Sequence, residues 1–170
     1  MGVMPALAAS SRRRSLAARV AARIHSPADV ALVARMLVWA AVLPIVKHAV
    51  PIRTLVPRMR RSASGPGGVA RDAAREDQIV TLARWTCRLT RWSSGGNCLE
   101  RGLITYRFLG AANAQPSLVV GIGRGERGEI RGHAWVLVDG KPAGESLASV
   151  SEFETVLTFG PDGEPLRTSR

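Results

Sequence analysis

Two short blocks constrain what this chain can fold into. The first, Asn97-Cys98-Leu99-Glu100-Arg101-Gly102-Leu103, reads as a helix start. Asn97 is a good N-cap, and Glu100, three residues on, completes a capping box. The second, Gly132-His133-Ala134-Trp135-Val136-Leu137-Val138-Asp139-Gly140, alternates like a strand and ends in the strong hairpin signal Asp-Gly. Helices dominate before these blocks and antiparallel strands follow them. The expected class is therefore α+β, with helices packed on an antiparallel sheet.

The other elements follow from periodicity and punctuation. Arg12–Ile24 spaces Leu16, Val20 and Ile24 by four, with Arg12, Arg13, Arg19 and Arg23 on other faces. That is a basic amphipathic helix suited to an anionic membrane surface or an acidic partner, the alternative being a solvated arm. Ser26-Pro27-Ala28-Asp29 starts a second helix, which runs through Val30–Leu43 and which Pro44 is expected to kink or end. Its uninterrupted apolar run is shorter than about 18 residues and contains Arg35, so a buried or partner-facing helix is favoured over a membrane span. Ile52–Met59 reads as a short basic segment broken at Pro57, and Ser62–Gly68 as a linker. Asp72–Arg91 reads as a helix that turns Ile79, Leu82, Ala83 and Thr86 inward, with Cys87 as a small core residue. After a flexible turn at Trp92–Gly96, the helix from Asn97 should stop at Gly110. Strands are expected at Leu118–Ile122, His133–Val138, Lys141–Leu147 and Phe153–Phe159, with a polar loop at Arg124–Arg131. The expected organisation is a basic helical arm and linker (1–68), a domain (69–160) and a polar tail (161–170).

Charge supports this division. The net charge is +11, of which residues 1–68 carry +10 and residues 69–170 only +1. A balanced domain bearing a basic arm fits an enzyme better than a nucleic-acid-binding domain. Aromatic residues are 5%, and the arm has Trp39 alone, so it offers no base-stacking platform and no nucleic acid is expected. The two cysteines, Cys87 and Cys98, lack metal-ligand spacing, and no metal or cofactor is expected. The poor secretory character of the N-terminus suggests a cytoplasmic chain, where the thiols stay reduced, a Cys87–Cys98 bridge being the alternative; membrane-surface contact through residues 12–61 is left open.

Cys98, as first residue of its helix, meets unpaired amides and a positive dipole end, which favour an anionic sulfur. Gly95-Gly96 leave the approach to it unobstructed. His133, at the start of a strand, can reach over the end of a helix packed on the sheet, and the other two histidines lie in the arm. A Cys–His pair is the machinery of acyl transfer, with the Cys98 amide placed to help hold an oxyanion. A third group should orient the imidazole. Glu145 serves if a three-residue connection pairs it with His133 or Trp135. A strict two-residue Asp139-Gly140 loop instead pairs His133 with Ser146 and turns Glu145 away. Asp139, at the turn tip, is the alternative acid.

Cys98-Leu99-x-Arg101-x-Leu103, Gly110, Leu118-Val119-Val120-Gly121, His133-Ala134-Trp135-Val136 and Asp139-Gly140 together resemble the B-type leader peptidases of lasso-peptide biosynthesis. These are transglutaminase-like proteins related to the microcin-processing protease. The resemblance spans roughly Asp72–Phe159, and Ala28–Arg61 is similar to the helical region that precedes that core. It implies a papain-like fold, a Cys-His-acid triad and cleavage of a ribosomally made precursor at its leader–core junction. By this resemblance Cys98 is the nucleophile, His133 the base, and Trp135 and Trp92 contact substrate. Glu145 stands where the family carries Asp, Gly102 where Ser is common, and Leu137 where an acidic residue often follows Trp-Val. The resemblance also implies a separate leader-recognition protein, an asparagine-synthetase-like cyclase as the next enzyme, and a Thr in the penultimate leader position as the recognition feature. The alternatives are another transglutaminase-like acyl transferase or amidase, and a non-enzymatic basic adaptor for membrane or nucleic acid.

Overall fold

The computed structural model describes residues 24, 26–60, 70–90, 97–125 and 127–166. The expected basic helix up to residue 23, the linker at 62–68 and the turn at 92–96, with Trp92, lie outside the described residues.

Helix α1 (Pro27–Ala49) opens on a complete capping box. Ser26 Oγ accepts from the Asp29 amide at 3.2 Å, and Asp29 Oδ2 accepts from the Ser26 amide at 3.1 Å. The helix does not end at Pro44 but continues through it to Ala49. A mid-helix proline costs about 3 kcal/mol. Burial of Met36, Ala40 and Leu43, with Val46 packed at the edge of the core, offsets that cost. The segment expected to break at Pro57 is likewise a continuous helix, α2 (Ile52–Met59), which buries Leu55, Val56 and Met59.

Helix α3 (Ala73–Leu89) starts at Asp72, whose Oδ1 accepts from the Ala74 amide at 2.9 Å. It buries Ile79, Leu82, Ala83, Thr86 and Cys87, the face its periodicity marks. The Thr86 hydroxyl is satisfied by donating to the Leu82 carbonyl at 3.0 Å. Helix α4 (Cys98–Ala111) departs from expectation at both ends. Asn97 occupies the cap position, but its side-chain amide donates to the Cys87 carbonyl at 2.8 Å, tying α4 to the end of α3. Glu100 does not reach back to complete a box; it is buried and accepts from Lys47 Nζ of α1 at 2.6 Å. The helix also continues past Gly110. Its end is a Schellman turn on Asn113 (φ +62°), in which the Asn113 amide donates to Gly110 and the Ala114 amide to Leu109, both at 3.1 Å.

Five antiparallel strands follow: β1 (Ser117–Arg124), β2 (Ile130–Val138), β3 (Lys141–Pro142), β4 (Glu154–Phe159) and β5 (Pro165–Leu166), in spatial order β3-β2-β1-β4-β5. A short helix α5 (Leu147–Ser151) lies between β3 and β4. The expected returning strand Lys141–Leu147 therefore ends at Pro142, and the expected polar tail contributes a strand that pairs with β4. β2 begins three residues before His133 because Arg124↔Ile130 and Gly123↔Arg131 extend the β1–β2 ladder into the expected loop.

Helix α4 is the centre of the molecule. It packs on β1 and β2 on one side and against α1, α2 and α3 on the other. One hydrophobic cluster joins Met36 and Leu43 of α1, Val56 of α2, Leu82 of α3, Leu103 and Leu109 of α4 and Leu118 of β1. Residues 27–59, read from sequence as part of an arm, thus share one core with the rest. Tyr106, fully enclosed in α4, donates its hydroxyl to the Gly160 carbonyl at 2.7 Å and fixes the β4–β5 turn.

Candidate active site

Cys98 is the first residue of α4, and its half-buried Sγ lies 3.9 Å from the Gly132 carbonyl oxygen, one residue before His133. Packing of α4 across β2 thus brings the N-terminal turn of the helix to the histidine strand. In β1, Gly121 pairs with His133. Gly121 is required there: a Cβ would sit 2.9 Å from the Trp135 ring and 2.8 Å from the Glu154 carbonyl oxygen.

The imidazole of His133 is held on two sides. Its ring stacks on Phe153 at 4.8 Å between centroids and on Trp135 at 5.9 Å. Its Nε2 meets Glu145 Oε2 at 2.7 Å, and the other carboxylate oxygen of Glu145 accepts from Arg101 Nη2 at 2.6 Å. A carboxylate only accepts, which assigns the proton to Nε2 and leaves the Nδ1 lone pair to exchange a proton. The relay runs from Arg101 through Glu145 to His133. It starts on the same helical turn as Cys98, because residues three apart share a helix face.

Glu145 reaches this position by an unexpected route. The hairpin is the strict two-residue form, with Val138↔Lys141 and Leu137↔Pro142, the register that would turn Glu145 away if the strand continued. The strand does not continue. Ala143 gives one last bond to the Val136 carbonyl at 2.8 Å, and Gly144 then adopts φ +76°. This is a backbone region costly to residues with a Cβ, and a Cβ there would lie 2.3 Å from Val80 Cγ1. Arg84 clamps the bend by donating to the Gly144 carbonyl. Breaking the ladder frees the next residue from strand alternation, and the Glu145 side chain folds back to His133.

The alternative acid does not join this cluster. Asp139 sits at the turn tip with φ +51°, its side chain 67% exposed and paired with Arg71 at 2.6 Å. Five strand steps from His133 to Val138 place that tip about 17 Å away. Glu76 and Asp139 together raise the pKa of the Arg71 guanidinium, the Glu76 hydrogen bond most strongly, so this corner is an ion-pair anchor. Trp135, expected to contact substrate, is instead buried, only 5% exposed, among Val119, Val150 and Phe153. Its role here is to hold the histidine ring. Cys87 is enclosed, and burial pushes its thiol up to about 12, so it is no nucleophile near neutral pH. Among the described residues no cluster of three or more His, Cys, Asp or Glu side chains could hold a metal ion.

Three participants receive no site role from the sequence, although Arg101 stands in the motif Cys98-Leu99-x-Arg101-x-Leu103. Arg101 was legible as Cys-x-x-Arg on one helix face, a spacing that invites a shared partner. Gly144 carried only a generic turn signal. Phe153 carried none, because its contact with His133 exists only once β4 returns beside β1.

Chemically, the fold brings a thiol at a helix N-terminus to the strand that carries an oriented imidazole, beside backbone amides that can receive negative charge. Those are the requirements of acyl transfer through a thioester. No curated protein and no solved structure matches the chain. The profile of the transglutaminase-like superfamily, by contrast, matches residues 42–158, from the second half of α1 to the last residue but one of β4. That stretch covers more than half the chain and includes Cys98, His133 and Glu145, and the α+β architecture agrees with it. By sequence match and by fold, the chain belongs to the transglutaminase-like superfamily.

Proposed function

We propose that this chain is a cysteine peptidase that removes the leader from a ribosomally made lasso-peptide precursor, with Cys98, His133 and Glu145 as its triad. The observation that carries the reading is the 2.7 Å contact between His133 and Glu145 on the strand whose Gly132 lies against the Cys98 sulfur. Superfamily membership supports thiol-based acyl chemistry in general, and the sequence blocks around Cys98 and His133 support the leader-peptidase class in particular.

In this mechanism His133 Nδ1 takes the thiol proton as Sγ adds to the last leader carbonyl. The Cys98 amide helps hold the resulting oxyanion. Collapse breaks the C–N bond, with the His133 proton passing to the departing core amine, and leaves the leader as a thioester on Cys98. Water then adds to the thioester, giving its proton to His133. The leader departs as a carboxylate and the thiol is restored. Glu145, held by Arg101, keeps the imidazole in the productive tautomer throughout. The precursor is presented in the cytoplasm by a separate leader-recognition protein, and the freed core amine goes to an asparagine-synthetase-like cyclase.

Mass spectrometry of a lasso precursor incubated with this chain and a leader-recognition partner tests the reading. Cleavage at the leader–core junction, lost in Cys98→Ala and kept in Cys87→Ala, is the expected result. Ammonia release or cross-linking without leader release would assign the site to an amidase or a cross-linking transglutaminase instead.

A further inference from the structure

We infer that the outward face of α1 docks on an anionic membrane surface, with the helix lying along the interface. α1 is apolar on both sides, but the other described residues cover only one of them. Leu32, Met36, Ala40 and Leu43 are buried in the core. The opposite strip is open to solvent: Val30 is 54% exposed, Val38 61%, Val42 40% and Ile45 73%. Exposed Ala34 and Ala41 fill the spaces between them. At about 1.5 Å per residue, the exposed apolar strip from Val30 to Ile45 is roughly 23 Å long. A contiguous exposed strip of this kind marks an interaction surface.

Charge and area select the occupant. From Ser26 to Arg60 the sole acid is Asp29, which is buried and paired with Arg75 at 2.5 Å. Arg35, at the edge of the strip, and Arg53 and Arg58 on α2 are exposed. The 25 residues leading into α1 add five arginines and no acid. A second copy would bring the same positive charge against itself. A strip about 23 Å by 10 Å also offers well under the ~800 Å² per partner of a stable dimer. An anionic lipid surface complements both features: the apolar strip enters the headgroup–acyl boundary, and the arginines stay at the phosphates. α1 is long and apolar enough to cross a membrane, with a mean hydropathy of 2.0 over its best window. Crossing, however, would strip Met36 and Leu43 from the core that holds α4.

The test is flotation of the full-length chain with vesicles of phosphatidylcholine alone or with added phosphatidylglycerol. Binding is expected on the anionic vesicles and should be reversed by high salt. Val38→Asp and Ile45→Asp should each weaken it about ten-fold, and Arg53→Gln and Arg58→Gln about five-fold each, with Tm unchanged because all four side chains are exposed. Absence of binding to anionic vesicles overturns the inference, as does retention at high salt and alkaline carbonate, which would indicate a span. Unchanged binding in Ile45→Asp with a lowered Tm, or a concentration-dependent dimer that this substitution dissolves, would assign the face to the N-terminal segment or to a second copy. None of these outcomes depends on peptidase activity.

Discussion

Glu145→Gln keeps the size and shape of the side chain and removes its charge, so it isolates what the carboxylate does. The Gln oxygen can still accept from Arg101 Nη2, now 2.6 Å from Glu145. Its amide nitrogen then faces His133 Nε2 as a donor. The imidazole must accept there, which moves its proton to Nδ1, the nitrogen that takes the thiol proton in the proposed mechanism. Loss of the correct tautomer costs about 10⁴-fold in kcat, roughly 5 kcal/mol of barrier. Folding should change far less. The Glu145, Arg101 and His133 side chains keep 14%, 26% and 18% of their exposure, so solvent screens the lost charge and about 1 kcal/mol is expected, a Tm shift of about 2–4 °C. The assay is single-turnover leader release, with thioester accumulation followed by intact-protein mass spectrometry and Tm by calorimetry. Glu145→Asp, one methylene shorter, cannot span both partners and should fall between the variant and the native chain. A Glu145→Gln enzyme within ten-fold of native kcat would refute the triad assignment, and so would an equal loss in Asp139→Ala.

Lys47→Ala should destabilise the chain by about 3 kcal/mol in urea titration, because it leaves the buried Glu100 carboxylate at the start of α4 without its cation; Lys47→Met with Glu100→Leu should recover most of that loss. Iodoacetamide should modify Cys98 alone in the native protein at pH 8 and both cysteines in denaturant, since burial pushes the Cys87 thiol up to about 12. Burial also pushes the Tyr106 hydroxyl up to about 12. For both groups the folded value lies above the unfolded one, so unfolding releases protons between about pH 9 and 12. Stability should fall with rising pH across that window, and less steeply in Cys87→Ala. Gly144→Ala should cost more than about 1 kcal/mol and reduce leader release, because φ +76° and the Val80 contact both resist a methyl group and the bend that aims Glu145 would shift.

What was legible in the sequence was local. The inward face of α3, the Ser26 cap of α1 and the Asp139-Gly140 turn arise from neighbours a few residues apart, so periodicity and capping chemistry reveal them. The same local rules allow an end at Pro44, break α2 at Pro57 and place a box at Glu100, none of which the fold adopts. There, longer-range partners outweighed local cost: core burial of Met36 and Leu43 carries α1 past its proline, and Lys47, 53 residues away in sequence, takes the Glu100 carboxylate.

The sequence by itself determined the residue types of the candidate site and their order, because a cysteine opening a helix and a histidine on an alternating strand are visible without any packing. Only the tertiary structure decided which acid faces the imidazole. Strand register alone points Glu145 away; the bend at Gly144, held by Val80 and Arg84 of α3, points it back. Only the fold, too, decided which apolar face of α1 the other described residues cover. A helix that is apolar all round does not reveal from its own sequence which side its neighbours will take.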